Sequence, residues 1–146
     1  MGMAAAATDS FAVEASMQVA DALHLAGGYE HVQFVTPDVD ELTVTIEAAG
    51  TIIGCAHGHQ FRGPDKAHAW WALQSHARHR IGAADLLLSG HFHHLRVADD
   101  SGRTAITAPT VDPGSPWFDQ RRGGGPRAGV LTFLTSQGQW QGLEIL

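Results

Sequence analysis

Apolar residues at helical spacing open the chain. Val13, Met17, Ala20 and Leu23 recur on one face of residues 10–25, with Asp9 or Ser10 as N-cap and Gly27-Gly28 as the stop. The pattern predicts an amphipathic helix that covers one face of a sheet. The period then falls to two. Residues 32–35, a turn at Pro37-Asp38, the alternation of Leu42, Val44 and Ile46 over 41–46, and TIIGCA over 51–56 predict a meander of three short strands. The third is apolar on both faces, as in the interior of a sheet, and its end delivers His57 and His59.

Gly63-Pro64-Asp65 opens a second helical stretch, 66–78, carrying Ala67, Trp70, Trp71, Leu73 and Ala77, and Gly82 closes it. DLLLS, 85–89, is another apolar strand, and it runs straight into Gly90-His91-Phe92-His93. Segments 94–98 and 103–108 flank Asp99-Asp100-Ser101-Gly102, a hairpin signal, and 128–135 with 140–145 make a last hairpin. Between them lies a long Gly/Pro-rich loop, 109–127. Mixed helices and strands in this order predict an α/β (α+β) fold with mixed sheets, a single domain over residues 1–146, and a disordered start at 1–9.

With 146 residues the chain has room for one ordinary domain with a core that needs no disulfide, and the single Cys55 can form none within the chain. Cys55 lies in an apolar strand, where burial is expected rather than ligation. No apolar run approaches the ~18 residues of a membrane span, and a soluble, cytoplasmic protein without membrane contact is expected. The net charge of −6 is unevenly spread. Residues 1–50 hold eight acids and no Lys or Arg, and residues 51–146 hold seven acids against nine bases. That C-terminal excess is too weak to predict general nucleic-acid binding.

The ten histidines change the picture. Two apolar strands each end in a Gly-flanked pair, His57-Gly58-His59 and Gly90-His91-Phe92-His93, at the carboxyl ends where α/β folds place their sites. Neutral imidazole is the commonest metal ligand. The plain alternative is a set of hydrogen-bonded polar residues at strand ends. His68, His76 and His79 read as solvated helix residues. Trp70 and Trp71 read as core and rim of the helix, with base stacking the alternative. Arg62 follows the first histidine loop closely enough to meet a phosphate, or forms a surface ion pair. Ser115 and Trp117 could wall the site or anchor their loop, and Arg121, Arg122 and Arg127 could contact a substrate or DNA.

Gly90-His91-Phe92-His93 after its strand resembles the closing Gly-His-x-His motif of the calcineurin-like metallophosphoesterases. His57, in CAHGHQF, resembles the His motif that precedes it, with a His-Gly-His-Gln segment and Trp-bearing helix similar to some bacterial and phage members. The resemblance runs from about Tyr29 to the end and implies the C-terminal half of that family's β-sandwich flanked by helices. Carried over, His57 and His91 would ligate one divalent metal (Mn, Zn, Fe or Mg) of a pair and His93 the other, with His59 behind them. The implied activity is hydrolysis of a phosphomonoester or phosphodiester by metal-bound hydroxide. The family's first half supplies Asp-x-His, Gly-Asp and Gly-Asn-His, and none of these is found here; the chain contains no Asn. Two cations about 3.5–4 Å apart need a bridging carboxylate against their repulsion. A chain probing phosphoesters with three imidazoles alone is therefore expected to be inactive by itself. It would need an N-terminal half on another chain or a homo-oligomer, or else act as a noncatalytic metal- or DNA-binding module.

Overall fold

The computed structural model describes residues 11–38, 41–112, 114, 125 and 127–146. The chain divides into two compact units, Met1–Val44 and Thr45–Leu146. In the first, helix α1 spans Phe11–Ala26 and ends where Gly27 and Gly28 turn to positive φ, with the Gly27 N–H donating to the carbonyls of Leu23 and His24. None of its residues is buried, so the cover over a sheet face that its pattern predicts has no counterpart in burial. No strand forms over 32–38 either. Alternation alone does not make a strand where no partner takes its backbone hydrogen bonds.

The second unit holds the layers, apart from Thr43 and Val44, with which the first strand begins. Strands β1 (Thr43–Ala48), β2 (Thr51–Ala56), β3 (Leu86–Ser89), β4 (Arg96–Asp100) and β5 (Arg103–Thr107) form one sheet in the order β1-β2-β3-β5-β4. β2, β3 and β5 are parallel, and β4 runs antiparallel at the edge. Strands β6 (Leu131–Ser136) and β7 (Gln139–Ile145) make a separate antiparallel ribbon. Three hairpins share one device. Ala49-Gly50, Ser101-Gly102 and Gln137-Gly138 all have both residues at positive φ, the primed turn whose twist matches that of the strands it joins.

A parallel neighbour requires a crossover, and residues 57–85 provide it. A 3-10 turn at Pro64–Lys66 leads into α2 (Ala67–His76), and a second one, Arg80–Ala83, returns the chain to β3. Alternation along the strands sorts the core into two. Ala56, Leu87 and Ala105 point to α2 and meet Trp71, Ile81 and Ala84; Ile53, Leu86 and Ile106 point the other way and meet Leu131, Phe133, Trp140 and Leu143 of the ribbon. The ribbon is also bonded to the sheet. Trp140 Nε1 donates to Thr104 Oγ1 at 3.0 Å and the Gly138 N–H to Thr51 Oγ1 at 2.9 Å. This mixed α+β sandwich with a flanking helix is the expected fold class.

Trp71 is a core anchor. It is 1% exposed, its Nε1 donates to the Ile81 carbonyl at 2.7 Å, and the Arg103 guanidinium lies 4.9 Å from its ring. Base stacking is thereby excluded for it. Half-buried Trp70 packs against Phe61. Cys55 sits half-buried in the ribbon-side core, and burial pushes its thiol up.

Candidate functional site

The site follows from the register of two strands. β2 and β3 pair in parallel with Ala56 opposite Ser89, so the next residues of each strand emerge side by side. The ladder continues one step beyond the sheet, the Gly90 N–H donating to the His57 carbonyl at 3.0 Å. Gly58 makes this approach possible. Its φ is 113°, and a Cβ there would stand 3.0 Å from the Gly90 carbonyl oxygen and 3.1 Å from the His91 Cβ.

The rings of His57 and His91 then meet, with Nε2 of the first 3.1 Å from Nδ1 of the second. One nitrogen carries a proton and donates it; the other offers a lone pair. His59 joins them, its ring centroid 5.3 Å from His57 and 6.4 Å from His91. All three side chains are exposed. Below them Phe92 turns inward onto Phe61, with ring centroids 5.8 Å apart, while His91 and His93 on either side turn outward. Both of these histidines hold left-handed backbone, φ 68° and 61°, which for non-glycine residues is strained. Gln60 Oε1 accepts the Gly58 N–H at 2.8 Å and so fixes the first loop.

The electrostatics favour a neutral His57 ring. His57 lies below the ordinary imidazole range, first because of burial and then because His91, His59 and His93 are like charges around it. A neutral ring is the form that ligates. The spacing is also apt, since two nitrogens each about 2.0–2.1 Å from one tetrahedral Zn²⁺ stand about 3.3 Å apart. The donor set is incomplete, however. Among the described residues no group of three or more His, Cys, Asp or Glu side chains is placed to hold a metal ion. Of the expected set the structure brings His57 and His91 together; His93 reaches the pair through its charge on His57, and the third ring in contact is His59.

The remaining candidates separate. Arg62 is exposed. His68 is half-buried, its Nε2 donating to the Arg103 carbonyl at 3.0 Å, so it is no free helix residue, whereas His76 and His79 are exposed. Arg127 donates to the Ile145 carbonyl at 3.0 Å. Ser115, Trp117, Arg121 and Arg122 lie outside the described residues. Sequence reasoning missed Gln60, Phe61 and Phe92 as the frame of the loops, although the two aromatics beside histidines in HGHQF and GHFHH were a readable signal.

No protein-family model matches the chain, and no curated protein matches it. Solved structures do. Wild-type Vps29 from Entamoeba histolytica complexed with Zn²⁺ is similar at 23% identity, a TM-score of 0.51, and coverage of 75% of this chain and 58% of that one. A single mutant of the same protein gives 20%, 0.50, 76% and 54%, and a double mutant 19%, 0.50, 78% and 56%. The chain thus spans little more than half the length of the structures it matches. At these identities the likeness concerns fold, and the fold it shows is the calcineurin-like metallophosphoesterase fold that Vps29 shares.

Proposed function

We propose that the chain is the histidine-bearing half of a metallophosphoesterase-type site, a divalent-metal-binding module inactive on its own. One observation carries this reading: His57 Nε2 and His91 Nδ1 converge at 3.1 Å at adjacent strand ends, where the described residues form no complete metal-holding group of three or more side chains. The zinc complex of the structural neighbour supports a metal at such a fold. His57 and His91 would hold the ion, with His59 or His93 beside them and Arg62 free to meet an anionic ligand. A bound divalent cation supplies Lewis acidity and a water of lowered pKa. The described residues position imidazoles, and the Asp-x-His, Gly-Asp and Gly-Asn-His motifs that would bring a bridging carboxylate are missing from the sequence. Hydrolysis therefore requires acidic groups from a partner, either a separate chain with the missing half or another copy.

Calorimetric titration with Zn²⁺ tests the reading. Binding by the full chain should be weak, lost in His57→Ala and in His91→Ala, and progressively weaker as pH falls through the imidazole range, because protons compete for the same nitrogens. A generic phosphodiester should not be turned over with Mn²⁺, Zn²⁺ or Mg²⁺. Unchanged Zn²⁺ affinity in both variants would overturn the site. Turnover by the chain alone that both variants abolish would overturn its incompleteness.

A further inference from the structure

The first unit carries a feature that the histidine site does not use. Its helix and the segment that follows enclose a cleft of about 500 Å³, a volume within the ordinary range of ligand pockets. The carboxylates of Asp21 and Glu30 line it beside Leu23, Tyr29, Val32 and Phe34. Glu30 is held at the cleft by the Gly28 N–H, which donates to its Oε1 at 3.1 Å, and backbone hydrogen bonds keep its carboxyl below the usual range. His24 is the one lining group able to become positive. Of its apolar lining Tyr29, Val32 and Phe34 are exposed, and elsewhere in the same unit so are Phe11, Met17, Val19, Leu25 and Val35. The whole stretch 1–50 contains eight acids and no Lys or Arg.

We propose that this cleft docks a basic and apolar segment of a partner protein, anchored by an arginine side chain. A guanidinium is the planar cation that pairs with carboxylates through parallel hydrogen bonds and also lies well on aromatic faces, here those of Tyr29 and Phe34. Its methylene stem matches Leu23 and Val32. The exposed apolar residues of this unit run from Phe11 to Val35, along a helix of 16 residues and the segment after it, more than a small molecule in the cleft could cover, which favours a polypeptide. The uniform negative charge selects a basic one and repels nucleic acid and anionic lipid alike.

Fluorescence anisotropy with a labelled peptide of alternating Leu and Arg, titrated with the full chain, tests this. Binding should weaken as salt rises and vanish when Glu replaces Arg in the peptide. Asp21→Asn with Glu30→Gln should weaken binding about tenfold or more. Glu14→Gln with Asp38→Asn makes the same charge change at two acids of the same unit that do not line the cleft and should cost less than about threefold, since exposed charges are screened. Circular dichroism checks that α1 persists. Should the first double variant lose its helix, Val32→Lys, which puts a competing ammonium at the cleft from outside the helix, must weaken binding as strongly. No binding of the Arg peptide, equal binding of the Glu peptide, or equal losses in the two double variants would overturn the proposal.

Discussion

The two units use the same kinds of residue to opposite effect. In Thr45–Leu146, alternate strand positions bury Ile53, Leu86, Leu87 and Ile106 almost completely between a helix and a ribbon. In the first unit α1 shows an equally clear amphipathic pattern, yet Met17, Val19 and Leu25 stand more than half exposed. Periodicity sets the conformation of a segment and names the face that wants covering, but a second surface must supply the cover. The histidine site sits on the unit where that condition is met. Its loops spring from strand ends fixed by a packed core, which holds two imidazoles within bonding distance.

Core truncation should separate the units most widely. Leu87 is fully buried on the helix side of β3, and Leu87→Ala should cost about 2–5 kcal/mol through lost transfer energy and the cavity left behind. Leu25→Ala, at an 85% exposed position, should stay within about 0.5 kcal/mol. Urea unfolding of both variants is the measurement; comparable losses would mean that the helix is covered after all. The next effect comes from close packing in the crossover. A Cβ at Gly82 would lie 2.5 Å from the backbone N and Cα of Ser75, so neither side can yield as a flexible side chain would. Gly82→Ala should destabilise by about 1–3 kcal/mol, the ordinary range of overpacking, while Gly102→Ala, at a turn with open space, should meet only the strain of its φ of 76°.

These contrasts also mark what could be read in advance. β2 was legible to the residue, because the apolar run after Thr51 lies between Gly50 and the first histidines. The turn at Ser101-Gly102 was legible from its Asp-Asp-Ser-Gly sequence, the glycine supplying the positive φ that a primed turn requires. The strand expected at 32–35 failed for want of a partner, and no local pattern carries that information. At the site, the neighbourhood of His57 and His91 was readable from two strands each ending in histidine. The contact of the His59 ring with His57 was not, because ring placement depends on loop conformation, and His91 and His93 take left-handed backbone that their residue type disfavours.

That backbone strain offers a smaller test of the site as a held arrangement. His93 is exposed, takes φ 61°, and a non-glycine residue pays about 1–2 kcal/mol for that conformation. His93→Gly should therefore stabilise the fold, by up to about 1 kcal/mol once the added freedom of the unfolded chain is deducted. Its urea midpoint should rise while the His57–His91 pair persists. A lower midpoint would show that the His93 side chain holds the loop through a contact that outweighs its strain.

The smallest effect is pH dependence from His57. Its folded ring is held below the ordinary value of 6.5, by burial first and then by its histidine neighbours. Above that value the ring is neutral in both states and the fold has its full stability. As pH falls through it, the unfolded chain takes up the proton first, so stability declines until the folded ring protonates as well. The urea midpoint of the wild-type chain should thus fall more steeply between about pH 7 and 5 than that of His57→Ala, which lacks the depressed group. If His57→Ala and the wild-type chain lose stability in parallel, the ring at the end of β2 is not under the field of its neighbours, and the cluster is looser than its 3.1 Å pair implies.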